Sequence, residues 1–207
     1  MKFSEMKYER PDLAAVKDEL HALTERLKAA RDYAEAREAF LAHEAAYIHM
    51  ETQATLASVR HTIDTRDEFY DAEETFWNAA TPELDAYEDA WKGTMLESPF
   101  RKEFAAEYGD LMFVNAEIAR KAFSPEIIPE SQQENDLSQA YSKLIASAQI
   151  PFEGGVYTIS QLSPFKNDPD DARRLAAWQA EGAWYKEHQA EFDDIYDKMV
   201  HLRDTMG

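Results

Sequence analysis

The sequence predicts a mainly α-helical protein, a bundle-like lobe of roughly six to eight helices with one short β-hairpin around residues 150–162. Three observations predict it. Leu13, Val16, Leu20, Leu23 and Leu27 alternate three- and four-residue spacings, which places all five on one stripe of a helix. A capping residue followed by proline recurs at Thr81-Pro82, Ser98-Pro99, Ser124-Pro125 and Asp168-Pro169, the chemistry of a helix start. A single stretch, Ile150 to Leu162, gathers β-branched and aromatic residues about the Gly154-Gly155 pair.

In chain order, Pro11-Asp12 suits the first turn of the leucine-striped helix, and Lys17, Asp18, Glu19, Glu25 and Arg26 fall on its wet side. A second helix runs from near Ala34 to near Asp64, with no proline or glycine inside; its length predicts a hairpin partner in a bundle. Asp67 to Ala80 reads as a third helix, carrying Phe69, Tyr70, Phe76 and Trp77, and Thr81-Pro82-Glu83 as the start of the next. Further helices follow Ser98-Pro99 and Ser124-Pro125-Glu126. In the hairpin the two glycines form the turn, because glycine takes positive φ at little cost. Val156, Thr158 and Ser160 alternate with Tyr157, Ile159 and Gln161 beyond it. After Asp168 one long helix runs to Met206, with Tyr185, His188, Phe192, Ile195, Met199, Leu202 and Met206 on one stripe.

The 207 residues carry 41 Asp and Glu against 22 Lys and Arg, a net charge of −19, with 44% hydrophobic and 12% aromatic residues. This composition folds, and at this length it supports one large domain or two small ones sharing an interface; sub-parts 1–109 and 110–207 are expected. Excess negative charge repels phosphate backbones and anionic headgroups, so neither nucleic acid nor membrane is an expected partner. No cysteine is present, which removes disulfides and cysteine-based zinc sites. Met1 to Met6 meet charge within two residues and show no apolar leader segment, and a cytoplasmic location is expected.

The searches for reactive constellations end without a catalytic or metal residue. His43-Glu44 opens a zinc-peptidase helix pattern, but Tyr47 stands where the second histidine belongs, and His49 falls on the far side of the helix. Both are expected to face solvent or lie half-buried. Glu181 and His188 share a stripe but lie too far apart along the axis for one ion. There is no nucleophile elbow and no phosphate loop; Trp77, Trp91, Trp178 and Trp184 are expected in the core or between sub-parts.

Four stretches carry a resemblance: Thr62 to Glu73 (TIDTRDEFYDAE), Phe123 to Glu130 (FSPEIIPE), Ile145 to Thr158 (IASAQIPFEGGVYT) and Asp168 to Trp178 (DPDDARRLAAW). Together they resemble the N-terminal part of oligoendopeptidase F, of the thimet-oligopeptidase-like zinc metallopeptidases. The resemblance implies that these residues form a helical lobe of a longer zinc enzyme that cuts short peptides in a channel between two lobes. It implies that zinc sits on a His-Glu-x-x-His helix downstream of the matched region, so this chain holds no cofactor and is inactive by itself. The partners it implies are the missing catalytic domain and an oligopeptide substrate. Gly154, Gly155 and Tyr157 are the candidates for the channel side, the glycines for close backbone approach and Tyr157 for its hydroxyl. The competing reading is a free-standing helical interaction protein derived from such a lobe. Under either reading the apolar stripe ending at Met206 favours self-association.

Overall fold

The structure, a computed structural model, describes residues 2–207, which form two compact units, residues 2–132 and Gln133–Gly207. The first holds α1 (Leu13–Lys28), α2 (Tyr33–Ile63), α3 (Glu68–Glu97), α4 (Arg101–Tyr108), α5 (Leu111–Ala122) and the start of α6 (Ile128–Ala146). The second holds the rest of α6, strands β1 (Ile150–Phe152) and β2 (Gly155–Tyr157), α7 (Ile159–Lys166), α8 (Asp171–Glu187) and α9 (Gln189–Met206). The units divide inside α6, whereas the sequence reading divided the chain at 109/110. Gly109 does end α4, but Phe113 of α5 shares a core with Trp91 and Met95 of α3.

The first unit is built on α2, whose 31 residues span about 46 Å at 1.5 Å per residue. Asp12, Asp32 and Asp67 each cap a helix start by accepting backbone N–H groups, which sets where α1, α2 and α3 begin. The leucine stripe of α1 turns inward as expected: Leu20 and Leu27 are buried and the other three half-buried. Leu20 packs with Met50, Trp77 and Leu84, and Leu27 with Phe40, Met95 and Phe104, so α1 joins two clusters along α2 and α3.

Polar side chains lie along the same seam, those of His43, His61 and Glu88 buried and their other partners half-buried. His43 Nε2 stands 3.0 Å from Glu88 Oε1, Ser58 Oγ 3.4 Å from Glu74 Oε1, and His61 Nε2 3.3 Å from Asp71 Oδ1. The extended segment before α1 is tied to this face too. Tyr8 donates to Glu73, Arg10 grips the same carboxylate through Nε (2.8 Å) and Nη2 (2.7 Å), and Glu9 N–H donates to Gln53 at 2.9 Å. Trp77 Nε1 donates in turn to the Tyr8 oxygen at 3.1 Å. The Arg10 guanidinium holds the Glu73 carboxyl below its ordinary range, while burial and the Glu73 contact push the Tyr8 hydroxyl up to about 12.

Nine α-helices among the described residues exceed the number expected, and the element boundaries differ at three places. Thr81-Pro82 starts no helix: α3 runs through Pro82 without interruption. Trp77 and Ala80 before the proline and Leu84 after it share one hydrophobic cluster, so ending the helix there would lose packing worth more than the one backbone bond that proline removes. Gln132 Nε2 donates to the Ala79 carbonyl at 2.6 Å, on the turn that Pro82 disturbs. Secondly, the expected long C-terminal helix is two, α8 and α9, meeting at His188, whose φ of −98° and ψ of 10° leave the helical region. Residues eight apart in one helix are separated by about 12 Å along its axis, yet the Trp184 and Phe192 rings lie 5.9 Å apart, so the chain turns there. His188 stacks on Trp184 at 4.5 Å, and its carbonyl accepts the first backbone N–H groups of α9.

Thirdly, the β segment is shorter than expected. It ends at Tyr157, because Thr158 and Gln161 form a reciprocal cap that starts α7: Gln161 N–H donates to Thr158 Oγ1 at 3.2 Å, and Thr158 N–H to Gln161 Oε1 at 3.0 Å. The second unit's core is Ala148, Ile150, Phe152, Leu162, Ala177 and Trp184. Helix α9 has no fully buried residue; its stripe of Phe192, Ile195, Met199, Leu202 and Met206 is half-buried, and Arg203 pairs with Glu134 of α6.

Replacing Arg10 by Ala should strand the Glu73 carboxylate beneath the N-terminal segment. A loss of about 1–3 kcal/mol is expected, read as a lower urea midpoint at unchanged slope; an unchanged midpoint would show that the segment contributes nothing to stability.

Candidate functional site

The residues singled out for the channel side, Gly154, Gly155 and Tyr157, sit together on the hairpin. β1 and β2 are antiparallel, with Ile150 opposite Tyr157, Pro151 opposite Val156 and Phe152 opposite Gly155. The turn is therefore Glu153-Gly154 and not the glycine pair. Both turn residues have positive φ, 45° and 80°, as a two-residue primed turn requires. Gly155 is already part of β2. Its lack of a side chain serves Tyr157: a Cβ there would come within 2.7 Å of the Tyr157 hydroxyl oxygen. The Tyr157 ring lies over Gly155 and meets Phe165 edge-on at 5.1 Å.

A non-glycine residue at φ 45° costs about 1 kcal/mol, and Glu153 is held there by Arg173. The guanidinium takes both Glu153 oxygens through Nε (2.9 and 3.1 Å) and Nη2 (2.6 Å), reaches Asp168 through Nη1 at 2.7 Å, and lies over the Phe165 ring. Asp168 and Asp170 also cap the start of α8, so turn, cap and helix are one assembly.

The two edges of the hairpin are unequal. In an antiparallel ladder the residues flanking a two-residue turn exchange both hydrogen bonds, and the next pair exchanges none. That next pair is Pro151 and Val156. Proline has no N–H to present on the β1 edge, whereas Val156 directs its N–H and C=O away from β1. Val156 is 62% exposed, and among the described residues no backbone group of another element bonds to it. The open edge of β2 is thus one residue that can pair with an extended strand.

Of His43 and His49, the first is placed differently from expectation. His43 is fully buried, stacked flat on Trp91 with centroids 3.8 Å apart and facing Glu88. Burial lowers its pKa, the Glu44 and Glu88 carboxylates raise it, and the net direction is up. His49 is exposed. His61, also buried, faces Asp71, and Glu181 pairs with Lys166 rather than approaching His188. Zinc does not fit these side chains: among the described residues no three of His, Asp, Glu or Cys converge on one point. Trp77, Trp91 and Trp184 are core residues, while Trp178 is exposed beneath the Lys166 ammonium. Among the described residues no helix is long and apolar enough to cross a membrane.

Two outcomes check the hairpin geometry. Gly155→Ala should displace the Tyr157 ring, removing its close proton contacts to Phe165 in NMR spectra and costing about 1–3 kcal/mol through overpacking; an unmoved ring would contradict the close approach. Both Glu153 and Asp168 have carboxyl pKa values below the ordinary range, Glu153 through the Arg173 hydrogen bonds and Asp168 first through the Asp170 N–H. The stabilisation is therefore fully present above about pH 4, the unfolded carboxylate range, and is lost as pH falls through the depressed native values. Carboxyl titration by NMR should show both inflections below those of model peptides, and Arg173→Gln should return Glu153 to the ordinary value.

Residues 3–123 match the peptidase M3 N-terminal domain family. No curated protein matches the sequence. Among solved structures, one titled as an oligoendopeptidase F is 37% identical, with a TM-score of 0.96 over 100% of this chain and 36% of that chain. A PZ peptidase A solved with an inhibitor is 36% identical, with a TM-score of 0.95 over 99% of this chain and 36% of that one. A structure titled as an oligoendopeptidase F from Bacillus anthracis is 32% identical, with a TM-score of 0.96 over 100% of this chain and 38% of that one. The chain thus spans little more than a third of the length of these relatives. It belongs to the peptidase M3 family, whose N-terminal domain it carries.

Proposed function

We propose that the chain is the N-terminal lobe of an oligoendopeptidase F-like zinc metallopeptidase that hydrolyses short peptides, and that it forms one wall of the substrate channel. The likeness to oligoendopeptidases over the entire chain, at little more than a third of their length, carries this reading. In it, the remaining sequence of the longer protein supplies the zinc and the general base, and this lobe limits access to extended, unfolded peptides in the cytoplasm. The lobe's own contribution is the hairpin. The open β2 edge at Val156 offers one N–H and one C=O to an extended backbone, the Gly154 turn leaves room for it, and Tyr157 adds a hydroxyl beside the edge. The half-buried stripe of α9 is the surface through which the isolated lobe self-associates.

The test compares the 207-residue chain with the longer protein on an internally quenched peptide, together with metal analysis after dialysis. The chain alone should cleave nothing and hold no stoichiometric zinc; one zinc per chain, or turnover by the chain alone, would overturn the reading. In the longer protein Val156→Pro, which deletes the outward N–H, should lower kcat/KM by roughly five- to tenfold, the worth of one hydrogen bond. An unchanged kcat/KM would remove the hairpin edge from the substrate path while leaving the peptidase assignment intact.

A further inference from the structure

Both ring nitrogens of His43 face carboxylates. Nε2 stands 3.0 Å from Glu88 Oε1 on α3, and Nδ1 stands 3.9 Å from Glu44 Oε1 on its own helix. His43 is 1% exposed and Glu88 6%, so water serves neither. A neutral imidazole has one N–H and one bare nitrogen, and a carboxylate only accepts. In either neutral tautomer one of the two carboxylates therefore meets a lone pair; the imidazolium alone turns an N–H toward both. His61, buried on the same helix, faces the single carboxylate of Asp71 at 3.3 Å, which one N–H serves.

The rings around His43 favour the same form. Trp91 lies flat against it, with centroids 3.8 Å apart and planes 2° from parallel, the arrangement in which an indole face attracts a cation. Tyr47, one turn along α2, lies parallel to it at 6.1 Å, and burial and the Glu88 charge push its hydroxyl up, so it stays neutral. On α3 the one nearby cation, Lys92, stands 4.0 Å from the other oxygen of Glu88. The neighbouring helices add no charge. The buried residues of α1 are Leu20, Thr24 and Leu27, and the α5 side chains lining the space beside Glu44 and Glu88 are all uncharged, Asn115 being the one polar member.

We infer that His43 is a proton-operated latch on the seam between α2 and α3: as the imidazolium it pairs with Glu88 across the seam and with Glu44 on its own helix, and when its proton leaves, one carboxylate loses its donor and the seam loosens. Burial by itself disfavours the charged ring, but the Glu44 and Glu88 carboxylates outweigh it, and the net direction of its pKa is up. A raised native value fixes the sign. The stabilisation is fully present below about pH 6.5, the unfolded range of histidine, and is lost as pH rises through the native value. This is opposite to the Glu153 and Asp168 pairs, whose contribution fades on acidification. The latch lies apart from the hairpin and does not depend on the peptidase reading.

Long-range 1H–15N spectra of the 207-residue chain, recorded from about pH 5 to about pH 10, read the protonation of each histidine ring directly. His43 should show both nitrogens protonated at neutral pH and an inflection above the ordinary value of about 6.5. In Glu88→Gln, of the same shape, that inflection should move down, because burial remains and one carboxylate is gone. Urea unfolding gives the second readout. The stability gap between the wild-type chain and His43→Gln should narrow between about pH 6 and about pH 9, by about threefold or more in unfolding constant; the comparison cancels the other titrating groups. An inflection at or below the ordinary value, one unmoved in Glu88→Gln, or a gap that does not change with pH would each overturn the assignment. Where a variant does not fold, the wild-type inflection decides.

Discussion

The register between α2 and α3 is the constraint on which the first unit depends, and polar groups set it. From His43 to Ser58 the chain advances fifteen residues along α2, while their partners Glu88 and Glu74 step back fourteen along α3; from Ser58 to His61 and from Glu74 to Asp71 the step is three on each. Two long helices with apolar surface along their length could otherwise slide by a turn at modest cost, because hydrophobic contact is not directional. A one-turn slip here would carry a buried imidazole away from its carboxylate and leave both in hydrocarbon, a penalty of several kcal/mol. Since α1 packs on both helices and α5 on α3, the positions of both hydrophobic clusters follow from these pairs.

That seam explains why much of the fold was legible and why His43 was not. The leucine stripe of α1 and the limits of α2 are local signals, and the structure repeats them. His43 looks from its own helix like a polar residue free to face water; the carboxylate that lets it be buried lies forty-five residues away on α3. Pro82 is the same lesson with the opposite sign. Local chemistry names it a helix start, but the apolar face continuous on either side of it outweighs a missing backbone bond.

The second unit departed from expectation for more local reasons. The cap that ends β2 and begins α7 was present in the sequence as Thr158-Ile159-Ser160-Gln161, a capping-box spelling masked by β-branched residues. The break at His188 had no such spelling, because the stripe from Tyr185 to Met206 keeps helical spacing across it; only the meeting of Trp184 with Phe192 betrays the turn. On the hairpin the three chosen residues do cluster, but the feature that distinguishes one edge from the other, Pro151 opposite Val156, lies in the pairing register and cannot be seen from either residue alone.

The strap formed by Tyr8, Glu9 and Arg10 has a consequence for the lifetime of the protein. These residues are extended, lie outside any helix, and are held by side chains from α2 and α3 rather than by backbone ladders. A protease that trims the first dozen residues would leave Glu73 without its counter-ion and Trp77 Nε1 without its acceptor, in the middle of the seam that sets the helix register. A cut in this exposed strap would propagate to the core, so that the stability of the first unit is coupled to the integrity of a short peripheral peptide.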